Sequence, residues 1–246
     1  VKPTDTVIEI GPGLGVLTEK LGEKAEKVVA IEIDSKIAQL LNCSIVGNLN
    51  NGTMKQSNNI EVINADILKT NINDIVGHKP YKLIANIPYY ITSKILEKFL
   101  TADNKPETIV LLVQKEVAER ICAAPGEMSV LSISVQAYGE PEIVGIVPAS
   151  SFFPAPKVES SILKIANIKS QITKVSEKDF FRTVKIGFAA RRKTLLNNLS
   201  AGFQVDKGTI LNILKSVKLD ENARAQELSI AEWERLAHSM KGILPR

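Results

Sequence analysis

Cysteine is scarce in this chain of 246 residues: only Cys43 and Cys122 occur, without a Cys-x-x-Cys pair, and the two histidines, His78 and His238, lie far from both in sequence. Such spacing argues against a disulfide framework and against a zinc site and suits a reducing compartment, so a cytoplasmic location is expected. Long apolar runs are missing too. Stretches such as Ile109–Val113 fall far short of the roughly 18 residues that span a bilayer, and no basic-then-apolar leader opens the chain. No membrane span and no secretion signal are therefore expected. Low-complexity tracts and internal repeats are also absent, and a composition of 44% hydrophobic and 24% charged residues belongs to a globular rather than a disordered or fibrous protein. The length accommodates one α/β domain of about 150 to 200 residues plus a smaller module.

Charge is unevenly spread. Residues 1–168 carry 16 Lys and Arg against 19 Asp and Glu, a net −3, whereas residues 169–246 carry 15 against 8, a net +7. A basic tail beside a mildly acidic larger part suggests that the tail meets a polyanion while the first part carries the chemistry. The alternative is an ordinary basic helical domain.

Runs of β-branched and aliphatic residues recur at Thr6–Ile10, Val28–Ile33, Ile60–Ala65, Lys82–Ile87 and Thr108–Gln114, separated by helical patterns such as Leu14–Ala25 and Ile37–Leu49. This alternation predicts βαβ units around a parallel sheet. Ile143–Val147 and Ser160–Ile165 complete seven strands, the Pro-rich connection Phe152–Pro156 suiting an antiparallel pair at one end. Ser129–Gln136 alternates like a strand, but the crossover it must make favours a helix. The polar segment Asn48–Asn59 is expected to be a surface loop. Beyond residue 168, Ser176–Asp179 and Ser229–Glu232 look like capping boxes opening amphipathic helices, and no strand pattern follows. The expected fold class is α/β, a seven-stranded Rossmann-like sheet over residues 1–168 followed by a small all-helical domain over residues 169–246.

The first strand ends in Glu9-Ile10-Gly11-Pro12-Gly13-Leu14-Gly15, glycines packed into a strand-to-helix turn that lets a ligand approach the backbone. A dinucleotide fingerprint needs a further glycine where Val16 stands, which argues against a nicotinamide oxidoreductase; glycines at alternate positions behind Glu9 resemble S-adenosylmethionine methyltransferases. A tight turn without ligand is the alternative. Glu32, at the end of the second strand, is placed to accept hydrogen bonds from both hydroxyls of a ribose, while Asp34 suits a helix N-cap. Asp66 follows the third strand, placed to accept from an adenine amino group or to serve a surface turn.

The fourth strand ends in Asn86-Ile87-Pro88-Tyr89-Tyr90-Ile91. An adenine amine is a poor nucleophile because its lone pair is delocalised into the ring, so a catalyst needs acceptors that hold the amine hydrogens and favour a pyramidal nitrogen. The Asn86 side-chain oxygen and the Ile87 carbonyl can be those acceptors. Pro88 stiffens the turn, and Tyr89 offers a face on which a flipped-out adenine stacks, worth about 1–3 kcal/mol. The alternative is a turn with a core tyrosine.

With these motifs the sequence resembles the ribosomal small-subunit RNA adenine dimethyltransferase family along its whole length. The likeness extends to Gln114–Arg120 with Pro125-Gly126, to Phe152–Ser160, to Phe188–Asn197 with its Arg191-Arg192-Lys193 core, and to Glu227-Leu228-Ser229. The resemblance implies a seven-stranded Rossmann-like methyltransferase sheet and transfer of methyl groups from S-adenosylmethionine to two adjacent adenosines near the 3′ end of small-subunit rRNA, within a pre-ribosomal particle. By resemblance Gly11, Gly13, Glu32, Asp66 and Asn86 bind the cofactor, Asn86 and Tyr89 serve the target base, and Phe152 packs on its other face. A monomer is expected. Family members carry a further N-terminal segment with a Gln-x-Phe-Leu element and a helix, whereas here the first strand starts close to Val1. The related erythromycin-resistance methylases share the Asn-Ile-Pro-Tyr turn and modify large-subunit rRNA, but Gln114–Arg120 and Pro125-Gly126 look more like the small-subunit enzymes. A non-catalytic RNA-binding or ribosome-assembly factor on the same fold is a further rival, opposed by the intact Asn86 and Tyr89.

Phosphate contact is the functional expectation for Arg191, Arg192 and Lys193, pictured as cations spread over most of a helical turn above an apolar face of Phe188, Leu195 and Leu196; a solvated face is the alternative. Lys157 is placed to touch phosphate beside the target base. Trp233 and Tyr138 are expected in the core, and His78 and His238 at the surface.

Overall fold

The computed structural model describes residues 1–47, 58–153 and 155–242. Seven strands form one sheet in the order β3-β2-β1-β4-β5-β7-β6: β1 (Thr6–Ile10), β2 (Lys27–Glu32), β3 (Ile60–Asn64), β4 (Lys82–Ala85), β5 (Thr108–Gln114), β6 (Glu140–Val147) and β7 (Ser160–Ala166). β1 to β5 are parallel, and β7 runs antiparallel to β5. The inner strands are apolar on both faces, with Val7, Ile8, Val28, Val29, Leu83, Ile109 and Leu111 all fully buried, as a sheet covered on both sides requires.

The crossings are made by α1 (Val16–Gly22), α2 (Ser35–Leu41), α3 (Asn73–Val76) and α4 (Thr92–Thr101). Asp34 caps α2, its Oδ1 accepting from the amides of Lys36 and Ile37 at 2.8 and 3.1 Å. The helix expected over Ile37–Leu49 starts earlier, at that cap, and beyond Leu41 continues as a π-helical turn, Asn42–Gly47. Most of the expected loop Asn48–Asn59, residues 48–57, lies outside the described residues.

The chain divides into two compact units, residues 1–115 with 142–168, and residues 116–141 with 169–246. Residues 116–141, read from sequence as part of the first domain, therefore cluster with the C-terminal helices. The reason is backbone pairing that no local pattern reveals: the amides of Gly126 and Met128 donate to the Gln226 carbonyl at 2.8 and 3.2 Å, and those of Lys169 and Gln171 to the carbonyls of Tyr138 and Ala137 at 2.8 and 2.7 Å.

The second unit contains most of α5 (Lys115–Ile121), then α6 (Val130–Gln136), α7 (Glu177–Gly187), α8 (Leu195–Phe203), α9 (Lys207–Ser216) and α10 (Ile230–Ser239). Ser129–Gln136 is helical, opened by the Ser129 cap, so topology overrides its alternating pattern. Ser229 and Glu232 form a full capping box, while Ser176 caps α7 through the Asp179 amide without the reciprocal bond. Trp233 is fully buried and stacks on Phe188, centroids 5.8 Å apart, and Tyr138 is buried with its hydroxyl donating to Glu177 at 2.8 Å. No helix among the described residues is long and apolar enough to cross a membrane.

Helix α7 stops at Gly187, where a Cβ would lie 2.4 Å from the Trp233 ring. The buried Asn198 side chain then donates to the carbonyls of Gly187 at 2.6 Å and Ala190 at 3.1 Å, satisfying the helix end and the turn after it. Asn198→Ala should leave both carbonyls short of a donor and cost about 2 kcal/mol in urea unfolding; a change within error would show that the turn keeps its shape without it.

Candidate active site at the carboxyl edge of the sheet

Because β1 to β5 are parallel, their carboxyl ends lie on one edge, and the order β2-β1-β4 puts the reversal of strand order between β1 and β4, where open α/β sheets bind ligands. Every candidate on the first four strands falls at this edge. The Gly11 amide donates to the Ile31 carbonyl at 3.0 Å, the Ala65 amide to the Glu32 carbonyl at 3.0 Å, and a Cβ on Gly11 would stand 3.7 Å from both the Asn86 carbonyl oxygen and Ile87 Cγ2. The ends of β1, β2, β3 and β4 are thus tied within a few ångströms.

The turn after β1 needs glycine for two different reasons. Gly11 and Gly13 hold φ of 66° and 56°, and beside Gly13 a side chain would meet only open space, so its backbone stays accessible. At Gly15 the constraint is packing as well as φ: a Cβ would lie 2.4 Å from Leu41 Cδ1 and 2.7 Å from Ile45 Cδ1, so the turn seats directly on the α2 segment. These conformations delay α1 to Val16, two residues past the expected start.

Glu32 is buried, and its Oε1 accepts from the Asp34 amide at 3.0 Å; no described group bonds its Oε2. Asp66 commits Oδ1 to the Leu68 amide at 3.0 Å and holds Lys69 loosely at 3.7 Å, so it serves a turn while keeping acceptor capacity. Asn86 stands just past β4, which ends at Ala85 rather than at the expected Ile87. Its side chain is exposed and hydrogen-bonds no described residue, while Ile87 beside it is buried. Tyr89 opens a 3-10 turn, Tyr89–Ile91, and is half-buried, whereas the neighbouring Tyr90 is 84% exposed. Pro88 holds φ −55° and ψ 136°, an extended conformation that carries the chain across the edge into that turn.

β7 begins at this edge as well, since its first residue, Ser160, pairs with Gln114 at the end of β5. The segment before it, with half-buried Phe152, fully exposed Phe153 and exposed Lys157, therefore reaches the same edge; Pro154 lies outside the described residues. The Tyr89 and Ser160 hydroxyls are 2.6 Å apart. Sequence reasoning includes Ser160 inside a motif but gives it no role, because nothing local points to a partner 71 residues away.

In the helical unit, Arg191, Arg192 and Lys193 are exposed and pair with no carboxylate among the described residues. They do not lie on a helix as pictured from sequence: they form the turn between α7 and α8, because α7 has already ended at Gly187 and α8 starts only after the Thr194 cap. Asn198, which sequence reasoning also misses, anchors that turn through Ala190.

The family described as ribosomal RNA adenine dimethylase has a model that matches residues 1–241. A ribosomal RNA small subunit methyltransferase A of Dehalococcoides mccartyi is 46% identical over 244 residues, spanning 98% of this chain and 81% of the relative. One of Clostridioides difficile is 43% identical over 241 residues, spanning 95% and 80%. Among solved structures, a dimethyladenosine transferase from Plasmodium falciparum gives a TM-score of 0.77 at 29% identity, covering 99% of this chain and 92% of that one. The 23S rRNA methyltransferase ErmE gives 0.74 at 26% identity, covering 98% and 93%.

Glu9 is the least expected group at the edge. It is only 2% exposed, and neither its Oε2 nor the buried Thr18 hydroxyl has a hydrogen-bond partner among the described residues. Burial pushes its carboxyl up to about 7, against a smaller opposing pull from Thr18, which lies near it without forming a hydrogen bond. A carboxyl that holds its proton more tightly when folded contributes its full stability below the ordinary value of 4.5, and that contribution is lost as pH rises through about 7. Glu9→Gln, which mimics the protonated form, should match the parent near pH 4 and exceed it by up to about 3 kcal/mol at pH 8 in urea unfolding of the ligand-free chain. Parallel stability curves for the two proteins would show that Glu9 finds solvent or a partner.

Proposed function

This chain belongs to the ribosomal RNA adenine dimethylase family, and we propose that it dimethylates the exocyclic amine of two adjacent adenosines near the 3′ end of small-subunit rRNA, with S-adenosylmethionine as methyl donor. The choice of subunit rests on its relatives: the small-subunit methyltransferases are 43% and 46% identical, the 23S enzyme only 26%. A pre-ribosomal particle in the cytoplasm is the setting that this substrate implies.

The carrying observation is that the exposed Asn86, whose side-chain amide hydrogen-bonds no described residue, stands beside the glycine turn, its backbone carbonyl oxygen 3.7 Å from the Cβ position of Gly11. Gly13 with its open side, Glu32 with one oxygen that no described group bonds, and Asp66 suit a nucleoside with an aminoacyl tail: Glu32 would accept from the ribose hydroxyls, Asp66 from the adenine amine, and Gly11 and Gly13 would allow close backbone approach. When bound, S-adenosylmethionine supplies an electrophilic methyl group on a sulfonium. The protein then has to position the amine and hold its hydrogens. The Asn86 oxygen and the Ile87 carbonyl accept from the amine, drawing the nitrogen towards a pyramidal geometry, while Tyr89 and Phe152 offer faces for the extruded base. Methyl transfer leaves the amine nitrogen positively charged and its protons acidic, so one of them passes to solvent water and no strong base is needed.

Lys157, Arg191, Arg192 and Lys193 are the residues assigned to phosphate. A turn suits this as well as a helix does, since three successive exposed cations on a loop can follow the irregular backbone of folded RNA. The rival of a pure assembly factor would have no use for Asn86, an exposed amide that bonds no described residue.

Asn86→Ala should slow methylation of unmethylated small subunits about a hundredfold or more at saturating RNA, as loss of a preorganised transition-state acceptor does elsewhere. The product is readable as a reverse-transcription stop at two neighbouring adenosines, because dimethylation removes both amine hydrogens; a double stop appearing at the parent rate would favour the non-catalytic rival. Replacing Arg191, Arg192 and Lys193 with alanine should weaken RNA binding and reduce its salt slope by about 0.7–0.9 for each phosphate that is no longer neutralised. Cofactor affinity measured by calorimetry should stay as it was, and an unchanged salt slope would return these cations to a solvated role.

A further inference from the structure

Tyr89 is held at both ends of its ring. At one end its backbone follows Pro88 into the 3-10 turn Tyr89–Ile91, and at the other its hydroxyl lies 2.6 Å from Ser160 Oγ. Ser160 is itself anchored in the sheet: it is fully buried, it is the first residue of β7, and it closes a ladder of six antiparallel pairs running from Ile109↔Ile165 to Gln114↔Ser160. One residue before it the strand is clamped again, the Lys115 amide donating to the Glu159 carbonyl at 3.1 Å and the Lys115 ammonium pairing with the Glu159 carboxylate at 2.8 Å. The rigid end of the sheet is thereby carried to the tip of an aromatic ring that is otherwise half exposed.

We propose that Ser160 is a positioning residue for methyl transfer: its hydroxyl fixes the long axis of the Tyr89 ring, so that the target adenine meets a stacking face already in place. The proposal rests on the reading of Tyr89 as the stacking platform. Without that bond the tyrosine would be free to visit other staggered rotamers, each base arriving would have to select one of them, and the fraction of productive encounters would fall. The adjacent Ser161 supplies a contrast within the same strand. It is equally buried, points to the opposite face of β7, and its hydroxyl has no partner.

Single-turnover methylation of unmethylated small subunits, at saturating particle and S-adenosylmethionine, tests this with Ser160→Ala, Tyr89→Phe, the double variant and Ser161→Ala. Ser160→Ala and Tyr89→Phe should each slow the step about three- to tenfold, the range expected for one net hydrogen bond. The double variant should be no slower than either single one, because both remove the same bond. Ser161→Ala should run at the parent rate, and calorimetry should give unchanged cofactor affinity for all four. A parent rate for Ser160→Ala, or losses that multiply in the double variant, would overturn the proposal, and Tyr89→Phe keeps it open to refutation even if the buried serine proves intolerant. Tyr89→Ala separates the two levels: if it too runs at the parent rate the stacking reading falls and this one with it, whereas a slow Tyr89→Ala beside a normal Ser160→Ala refutes positioning alone.

Discussion

Parallel pairing of β1 through β5 decides where chemistry can occur, because five strands running the same way must release their chains at the same edge. Residues as distant in sequence as Gly11, Glu32, Asp66 and Asn86 are gathered there without a separate interaction having to be selected for each pair. The strand order does the rest: with β1 between β2 and β4, the connections leave in opposite directions and open a crevice over the glycine turn. A sheet of the same strands in antiparallel array would scatter the four positions over two edges.

The cost of such a site is visible in what it leaves unsatisfied. Folding ordinarily pairs buried polar atoms, yet around the β1 turn Oε2 of Glu9 and the Thr18 hydroxyl are buried without partners among the described residues, and Glu32 offers an oxygen that no described group bonds. Three glycines at positive φ add conformational entropy lost on folding. A chain selected only for stability would fill this region with apolar side chains. Its departure from that optimum is local, since the inner strands beneath it are packed with fully buried apolar residues.

How far the sequence discloses this depends on the range of the interaction concerned. Strand bounds are legible to the residue for β1 and β5, because β-branched runs between turn residues are a local signal; Asp34 is legible as a cap for the same reason. The candidate residues on β1 to β4 are legible because strand ends are, and parallel topology then converts them into neighbours. Three features are not. The attachment of residues 116–141 to the C-terminal helices rests on backbone bonds such as Gly126 to Gln226, which leave no trace in side-chain pattern. The turn that carries Arg191–Lys193 reads as a helix because Phe188, Leu195 and Leu196 mimic helical spacing; the carbonyls at the end of α7 and in the turn are taken by the Asn198 side chain, a tertiary constraint. The pairing of Tyr89 with Ser160 is invisible for a similar reason, as hydroxyls carry no pattern.

The reversal of β7 then takes on a meaning that its position at the end of the sheet would not suggest. A sixth parallel strand beside β5 would begin at the opposite edge, and the segment leading into it, with Phe152 and Lys157, would lie a full strand length from Asn86. By running antiparallel, β7 starts where β5 ends, so that Gln114 faces Ser160 and the Phe152–Glu159 segment is delivered to the same edge as the Asn86 turn. Gln114 and Lys115 are thus joined to the end of the Phe152–Ser160 segment, the joint closed by Lys115 and Glu159. What looks like an irregular end to a parallel sheet is the means by which the far half of the first unit reaches the edge where the candidate residues of β1 to β4 lie.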